Sequence, residues 1–224
     1  MKSFSVLTVS CRTGWEDIAN TSVAVQTVQP DAWYLVSPNF SSFELCNATP
    51  IQEPPKTKVS NLNAALNEGL RQVSTDYVIF YQDFISLDED CFEKLLNLAD
   101  ENTFVTTCTP NYDGSDDGRF TGVEVPRPCR AEEWEANVAI APMKAIRELG
   151  GFDEEYDNAW SWDNVNLAER AEILGYKFIL DESNRPTLFP HGRVEKEMDI
   201  NYDRHQETMA AIREGKKPIK LGYL

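Results

Sequence analysis

Buried-strand patterns and amphipathic-helix patterns alternate along this 224-residue chain. The clearest pattern is Tyr77–Tyr81, an unbroken run of aromatic and aliphatic residues. Such a run is typical of a strand buried on both faces of a parallel sheet. The polar pair Gln82-Asp83 marks the end of this strand, and a helical pattern over residues 89–99 follows. Open α/β sheets bind ligands at the carboxyl ends of their strands, so Asp83 is either a ligand-binding carboxylate or an ordinary strand-end cap.

The start of the chain predicts a βαβ unit. Residues 4–10 have a strand pattern, residues 15–28 a helical pattern and residues 32–36 a second strand pattern. Two strands joined by a helix within so short a segment indicate a parallel sheet. The polar, proline-containing residues 37–58 are predicted to be a loop.

The rest of the chain continues the alternation with shorter patterns. We predict helices that begin after Ser60 and that cover residues 143–149, 162–174 and 201–214. We predict further strands over residues 103–108, 137–142 and 176–180, the last of these being the final strand. The acidic residues 111–118 lack the EF-hand pattern and are predicted to be a solvated loop. The fold class is therefore α/β, a single domain whose mainly parallel, twisted central sheet is flanked by helices.

Composition limits the partners of this domain. The formal net charge of −16 disfavours nucleic acid and anionic membranes as main partners, because both repel an acidic surface. The five cysteines are scattered and never in a Cys-x-x-Cys spacing, which favours a reducing compartment. No apolar run reaches the roughly 18 residues of a membrane span. We therefore expect a cytoplasmic protein without membrane insertion.

Several motifs, in this order along the chain, resemble those of glycosyltransferase family 2. Residues 150–154 read Gly-Gly-Phe-Asp-Glu, and Trp162-Asp163 and Gly175-Tyr176 follow them. Residues 5–10 look like the first nucleotide-binding strand of the family, and residues 67–80 like the helix and strand before its metal motif. The resemblance implies a single GT-A domain over residues 1–224. It further implies metal-dependent, inverting transfer of a sugar from a nucleotide-diphosphate donor, such as a UDP-sugar, to a glycan or other hydroxyl acceptor.

The resemblance also divides the chain into two halves. Residues 1–110 would bind the nucleotide sugar, and residues 111–224 would bind the acceptor and supply the C-terminal helix. The donor would contact residues at the ends of the first, second and central strands, which are Thr8, Ser10, Arg12, Ser37, Gln82 and Asp83.

Asp83 is expected to bind Mn²⁺ or Mg²⁺. A departing nucleotide diphosphate gains negative charge as it takes the electron pair of the broken bond, and a hard divalent cation neutralises this charge. His191 is the expected second ligand, since imidazole suits Mn²⁺, and a surface or hydrogen-bonded loop histidine is the alternative. Family members usually have two aspartates where this chain has Gln82-Asp83. The second strand ends in Ser37-Pro38-Asn39 instead of an Asp-rich turn, so the base of the donor stays open.

Asp163 is expected to be the catalytic base, which removes the proton of the acceptor hydroxyl. The alternative is a carboxylate stabilised by the helix macrodipole, which would lower its pKa. Asp153 and Glu154 resemble acids on the acceptor side. Trp160 and Trp162 flank the proposed base and form either a sugar-stacking platform or part of the core.

Two other functions compete with sugar transfer. Sugar nucleotidyltransferases carry a glycine-rich loop with basic residues after the first strand, where this chain has Cys-Arg-Thr-Gly-Trp at residues 11–15. A degenerate carbohydrate-binding domain would explain Gln82 in place of a second aspartate. The joint presence of Asp83, Asp163 and His191 argues against it.

Overall fold

The computed structural model describes residues 2–10, 14–38, 47–58, 60–115, 118–159, 161–190 and 199–224. The strands within these ranges are β1 (Phe4–Val9), β2 (Ala32–Ser37), β3 (Thr49–Gln52), β4 (Tyr77–Tyr81), β5 (Ile85–Ser86), β6 (Thr103–Thr107), β7 (Pro126–Pro128), β8 (Val138–Pro142), β9 (Lys177–Asp181) and β10 (Thr187–Leu188). The α-helices are α1 (Glu16–Ala24), α2 (Leu62–Leu70), α3 (Cys91–Leu98), α4 (Met143–Leu149), α5 (Asp163–Ile173) and α6 (Asp199–Arg213). Two 3-10 helices cover Ala131–Glu133 and Glu154–Asn158.

Eight of the described strands form one central sheet in the order β3-β2-β1-β4-β8-β6-β9-β7. Strands β3, β2, β1 and β4 are parallel to one another, and β6 is parallel to β9. Strand β8 is antiparallel to both of its neighbours, β4 and β6, and β7 is antiparallel to β9. The predicted mainly parallel α/β sheet is confirmed. Because β8 is antiparallel, its start lies beside the end of β4, with Val138 opposite Tyr81.

The central strand β4 packs against helices on both faces of the sheet. All of its residues are buried, and successive side chains point to opposite faces of the sheet. Val78 and Phe80 pack in one hydrophobic cluster, with residues of α2, α4 and α5. Tyr77, Ile79 and Tyr81 pack in the other cluster, with residues of α1 and α3. The sequence pattern therefore reports a strand buried on both sides.

Several predicted boundaries are wrong at the margins of the fold. Residues 37–58 were predicted as loop, but Thr49–Gln52 forms β3, which pairs with β2. This strand is short, mostly exposed and contains Pro50, so it lacks a hydrophobic pattern. The strand at residues 177–181 is followed by β10, which pairs with β5 in a separate two-stranded sheet. Two-residue strands such as these are too short to give a period.

Helix α4 ends at a glycine. Gly150 has φ of 71°, the left-handed conformation that ends a helix, and its N–H bonds to the carbonyl of Arg147. A Cβ atom on Gly150 would meet the carbonyl oxygen of Leu221 at 1.7 Å, so the C-terminal tail packs directly on this turn. Over the described part of the chain, each helix is too short or too polar to cross a bilayer.

Candidate active site

The carboxyl ends of β1 and β4 bring two of the predicted site residues together. The side-chain hydroxyl of Ser10 donates a hydrogen bond to Oδ2 of Asp83, and both residues are buried. The backbone N–H of Ser10 also donates to the carbonyl of Val36 at 2.9 Å, next to the buried Ser37 at the end of β2. Ser10, Ser37 and Asp83 therefore lie together at the carboxyl ends of the parallel strands, where open α/β sheets in general bind ligands.

Thr8 lies in β1, two residues before Ser10, but its side chain has a different role. Its hydroxyl accepts a hydrogen bond of 3.1 Å from the indole N–H of Trp33, in the buried interior. Because this hydroxyl is hydrogen-bonded to a core tryptophan, it has a structural role in the interior. The structure therefore does not bring the Thr8 side chain together with the residues at the strand ends.

Gln82 connects the end of β4 to the start of β8. Its backbone N–H donates to the carbonyl of Asn137 at 3.0 Å, and its side-chain amide donates to Oδ1 of Asn137 at 2.7 Å. Asn137 in turn donates to Oε2 of Glu135 at 2.8 Å. Sequence reasoning missed Asn137 and Glu135, because only the antiparallel direction of β8 places them at this edge. Together these side chains form a polar border next to Asp83.

Asp163 is the first residue of α5 and is buried. Burial raises its pKa to about 6, and the nearby carboxylates of Asp157 and Glu135 add to this rise. The backbone N–H of Asn164 opposes the shift. The macrodipole at the start of a helix alone would lower the pKa, so burial outweighs it here. A carboxylate with such a pKa is suited to accept a proton near neutral pH.

An unusual turn precedes Asp163. Ser161 and Trp162 have φ of 75° and 70°, the left-handed conformation that residues other than glycine rarely adopt. Each such residue costs about 1–2 kcal/mol, so the surrounding contacts must impose this conformation. Backbone strain of this kind concentrates at functional sites, which is consistent with a special position for Asp163.

Trp162 is half-buried between the turn and α6. Its ring packs edge-on against Tyr202 at a centroid distance of 5.0 Å and stacks on His205 at 5.2 Å. The indole is therefore partly covered by α6 and partly exposed. Arg12, Trp160 and His191, which the sequence also suggests as site residues, lie outside the described residues.

Asp153 is anchored within the fold. Its Oδ1 accepts hydrogen bonds from the N–H of Glu155 at 3.1 Å and from the hydroxyl of Tyr223 at 3.2 Å. Lys217 Nζ lies 3.5 Å from its Oδ2. Asp153 thus caps the 3-10 helix that follows it and ties that helix to the C-terminal tail.

Glu154 is held by two neighbouring elements. Its Oε1 accepts a hydrogen bond of 3.0 Å from the side-chain amide of Asn67 in α2. Its carbonyl accepts one of 2.8 Å from Lys58. Among the described residues, these hydrogen bonds and ion pairs tie Asp153 and Glu154 to α2, residue 58, the 3-10 helix and the tail rather than to Asp163.

Asp157 is a further buried acid, and sequence reasoning missed it. Its Oδ1 accepts hydrogen bonds from the backbone and side-chain N–H groups of Asn63, at 2.9 and 3.0 Å. Its Oδ2 accepts one from the N–H of Ala64 at 3.0 Å. Asp157 therefore caps the start of α2 from 94 residues away, and no local sequence pattern signals such a contact.

The side chains around Asp83 carry oxygen atoms of the type that bind divalent cations. Carboxylate and hydroxyl oxygens are the hard donors that Mg²⁺ and Mn²⁺ prefer. Within the described ranges, no group of three or more His, Cys, Asp or Glu side chains could hold a metal ion by itself. A cation at Asp83 would accordingly take most of its ligands from bound phosphate and water.

The antiparallel pair β5–β10 brings a later segment to this edge. β5 begins two residues after Asp83 and pairs with β10. The N–H of Phe189 then donates to the carbonyl of Phe84 at 3.0 Å. The described segment that ends at Pro190 therefore lies next to Phe84, the residue that follows Asp83.

Comparison with protein families identifies one match. Residues 55–148 match the family model described as Glycosyl transferase family 2. The matched segment contains Gln82, Asp83 and Asn137. A comparison with curated protein sequences yields no match.

Several solved structures have a similar fold. A crystal structure of GalNAc-T7 with UDP, GalNAc and Mn²⁺ aligns with a TM-score of 0.70 at 12% identity, covering 100% of this chain and 53% of that chain. A crystal structure of S. aureus TarS aligns with a TM-score of 0.64 at 13% identity, covering 84% of this chain and 37% of that one. The structure of S. aureus TarS 1–349 gives 0.65 and 13%, with 84% and 60% covered. At these identities the likeness establishes the fold, and this chain spans about half the length of the GalNAc-T7 chain.

Proposed function

We propose that this chain, a glycosyltransferase of family 2 type with the GT-A fold, moves a sugar from a nucleotide-diphosphate sugar to an acceptor hydroxyl with inversion. The family match over residues 55–148 and the shared fold support the enzyme class that the motifs around Asp83, residues 150–154 and Asp163 predicted. Our proposal goes beyond this enzyme class in three respects, which are the donor, the metal and the stereochemical course of the reaction.

The observation that carries this proposal is the contrast between two buried carboxylates. Asp83 lies at the ligand-binding edge of the sheet and accepts a hydrogen bond from Ser10. Asp163 lies at the start of a helix, where burial raises its pKa to about 6. Two acids with such different surroundings are suited to two roles, one in binding the donor and one in accepting a proton.

In the proposed reaction, Asp163 accepts the proton of the acceptor hydroxyl. The acceptor oxygen then forms a bond to the anomeric carbon of the donor sugar. The bond between that carbon and the diphosphate oxygen breaks on the opposite face, and the nucleoside diphosphate leaves with the electron pair. Because attack and departure occur on opposite faces, the configuration at the anomeric carbon inverts.

We propose a UDP-sugar as the donor, held with Mn²⁺ or Mg²⁺ by Asp83 and His191. The support is that the GalNAc-T7 structure of the same fold is described with UDP and Mn²⁺. The bond between Phe189 and Phe84 also brings the chain before His191 close to Asp83. A divalent cation would supply neutralisation of the charge on the leaving diphosphate.

The remaining donor contacts follow the strand ends. We assign the residues at the carboxyl ends of β1, β2 and β4, with the segment after β1, to the nucleotide sugar; these are Thr8, Ser10, Arg12, Ser37 and Gln82. The Thr8 side chain would act indirectly, through its bond with Trp33. Residues 1–110 then form the donor half of the domain.

Residues 111–224 form the proposed acceptor half. The half-buried indole of Trp162, the residue before Asp163, would offer a flat apolar surface to a sugar ring. Trp160 would extend this surface, and Asp153 and Glu154 would shape the loop behind it. A glycan or another hydroxyl-bearing molecule is the expected acceptor.

The proposal is tested by incubating the purified protein with a panel of nucleotide sugars and Mn²⁺, first without an acceptor. We expect slow release of UDP from one UDP-sugar, loss of this release with a chelator, and an inverted anomeric configuration in products formed with a saccharide panel. A parallel sample of the Asp163→Asn variant controls for contaminating hydrolases. Nucleotide sugars that bind but never react would favour a degenerate binding domain.

A further inference from the structure

Helix α6 contacts the turn that precedes Asp163 through Asn201. The side chain of Asn201 is fully buried, and its Nδ2 donates hydrogen bonds to the carbonyls of Tyr156 at 3.0 Å and Ser161 at 2.9 Å. This pair of acceptors fixes the orientation of the amide, because a flipped amide would place its oxygen against both carbonyls. Asn201 thus binds the first residue of the strained turn to the preceding 3-10 helix.

His205, one helical turn further along α6, contacts the second residue of the turn. Its buried ring stacks on Trp162, with centroids 5.2 Å apart and an angle of 29° between the ring planes. Its Nε2 lies 3.1 Å from Oε1 of Glu169 on α5, and Arg213 donates to the other oxygen of Glu169 at 2.9 Å. The imidazole is therefore fixed between α5 and the indole ring.

These contacts explain how the turn keeps its conformation. Ser161 and Trp162 both have positive φ, which neither residue adopts readily by itself. Asn201 holds the carbonyl of the first, and His205 holds the ring of the second. The next residue is Asp163, so the direction of its carboxylate depends on this turn.

We propose that Asn201 and His205 are positioning residues that fix the Ser161–Trp162 turn and so aim the Asp163 carboxylate at the acceptor hydroxyl. This inference rests on the proposed function, in which Asp163 is the base. The two side chains act through the turn and need not touch the substrate.

The first test uses Asn201→Leu, which keeps the shape of the side chain and removes both hydrogen bonds. We expect kcat to fall roughly 10–100-fold, since misplacement of a reacting group by about 1 Å has effects of this size. The affinity for the donor, measured by calorimetry, should stay unchanged. The matched control is Ile212→Ala, which removes a buried apolar group of α6 remote from the turn and should lower stability in urea without changing kcat.

A pH profile separates positioning from a general loss of packing. Asp163 faces the carboxylates of Asp157 and Glu135 and the N–H of Asn164. In Asn201→Leu a loosened turn admits water, so the acid limb of the kcat/KM profile should move to lower pH. In Ile212→Ala the limb should stay in place.

His205 provides a second and independent pair of variants. His205→Phe keeps a ring against Trp162 and should retain most of the activity, whereas His205→Ala should lose it as Asn201→Leu does. If Asn201→Leu does not fold, this pair decides by the same measurements. Variants that lose stability as Ile212→Ala does, yet keep kcat and the acid limb, would overturn the positioning role.

A further control distinguishes failure of this inference from failure of the proposed function. If Asp163→Asn retains full transfer, the base lies elsewhere and the proposed function is wrong in this respect. If Asp163→Asn is inactive while Asn201→Leu and His205→Ala are fully active, only the positioning role is wrong.

Discussion

Ser10 donates its side-chain hydroxyl to the carboxylate of Asp83, although 73 residues separate the two in the sequence. The contact exists because β1 and β4 are adjacent parallel strands, so their carboxyl ends lie side by side. It joins the first strand of the chain to the central strand at the edge where such sheets bind ligands. Ser10 thereby fixes the direction of the Asp83 carboxylate.

We expect Ser10→Ala to weaken binding of UDP in the presence of Mn²⁺. A hydrogen bond to a charged group contributes about 1.5–3 kcal/mol to stability. The free energy of unfolding should therefore decrease by about this amount in Ser10→Ala. Calorimetry and urea unfolding measure the two effects. The control is Ser5→Ala in β1, the strand that precedes Ser10, and the Ser5 hydroxyl pairs with that of Thr75 at 3.0 Å. Ser5→Ala should lower stability only, and unchanged nucleotide affinity in Ser10→Ala would contradict the prediction.

We expect Asp83→Ala to abolish the metal-dependent part of nucleotide binding. One carboxylate and one imidazole leave most coordination positions to phosphate and water, so cation and nucleotide should bind together. Calorimetric titrations with UDP, with and without Mn²⁺, measure this coupling. Asp88→Ala, an exposed acid on the next loop, is the control. Metal-independent UDP binding that survives in Asp83→Ala would rule out the metal role.

We expect Asp163→Asn to lower turnover by roughly 10²–10⁴ while donor binding stays nearly intact, because asparagine keeps the shape but cannot accept a proton. The wild-type kcat/KM profile should show an acid limb near the pKa of about 6, since the base works only when ionised. Asp203→Asn, at an exposed position of α6, serves as the control. Near-normal transfer by a folded Asp163→Asn variant would move the base elsewhere, first to Asp153.

The interior of the fold was predictable from the sequence, and its edges were not. Tyr77–Tyr81 reads as a strand buried on both faces, which is how it packs. Both edge strands of the sheet contain proline, at Pro50 in β3 and at Pro126 and Pro128 in β7. Edge strands tolerate proline because one row of their backbone N–H groups needs no partner. Exposed, proline-containing strands lack the alternation on which sequence reasoning depends.

The candidate site was predictable where it follows from strand ends. Parallel strands end at a common edge, so the sequence could bring Ser10 and Asp83 together. It could not find Asp157, Asn137 or Asn201, whose roles depend on contacts between distant segments. A buried polar side chain that holds a distant backbone leaves no periodic signal in its own neighbourhood.

We expect Asp157→Asn to change both stability and the pH profile. The substitution weakens the cap of α2, which typically costs about 1 kcal/mol. It also removes a negative charge that raises the pKa of Asp163, so the acid limb of kcat/KM should move to lower pH. Asn63→Ala removes the side-chain hydrogen bond to Asp157 but leaves the charge, and it should leave the limb in place. An unmoved limb in Asp157→Asn would show that the two acids do not interact.

The last prediction concerns the stability cost of an ionised Asp163. Its pKa rises from an ordinary value of 3.8 to about 6 in the folded protein, mainly through burial. The folded state therefore binds this proton more tightly than the unfolded chain does. The resulting stabilisation is complete below the unfolded pKa and is lost as the pH rises through about 6.

Asparagine at this position carries no charge and avoids that loss. At neutral pH, Asp163→Asn should therefore raise the free energy of unfolding by up to about 3 kcal/mol, since one pKa unit corresponds to about 1.4 kcal/mol. At about pH 4 the gain should nearly vanish, because the wild-type acid is then protonated in the folded state. Urea unfolding at the two pH values measures the difference, with Asp203→Asn as the exposed control. A variant less stable than the wild type at neutral pH would mean that the helix N-terminus stabilises the ionised carboxylate, which would weaken it as a base.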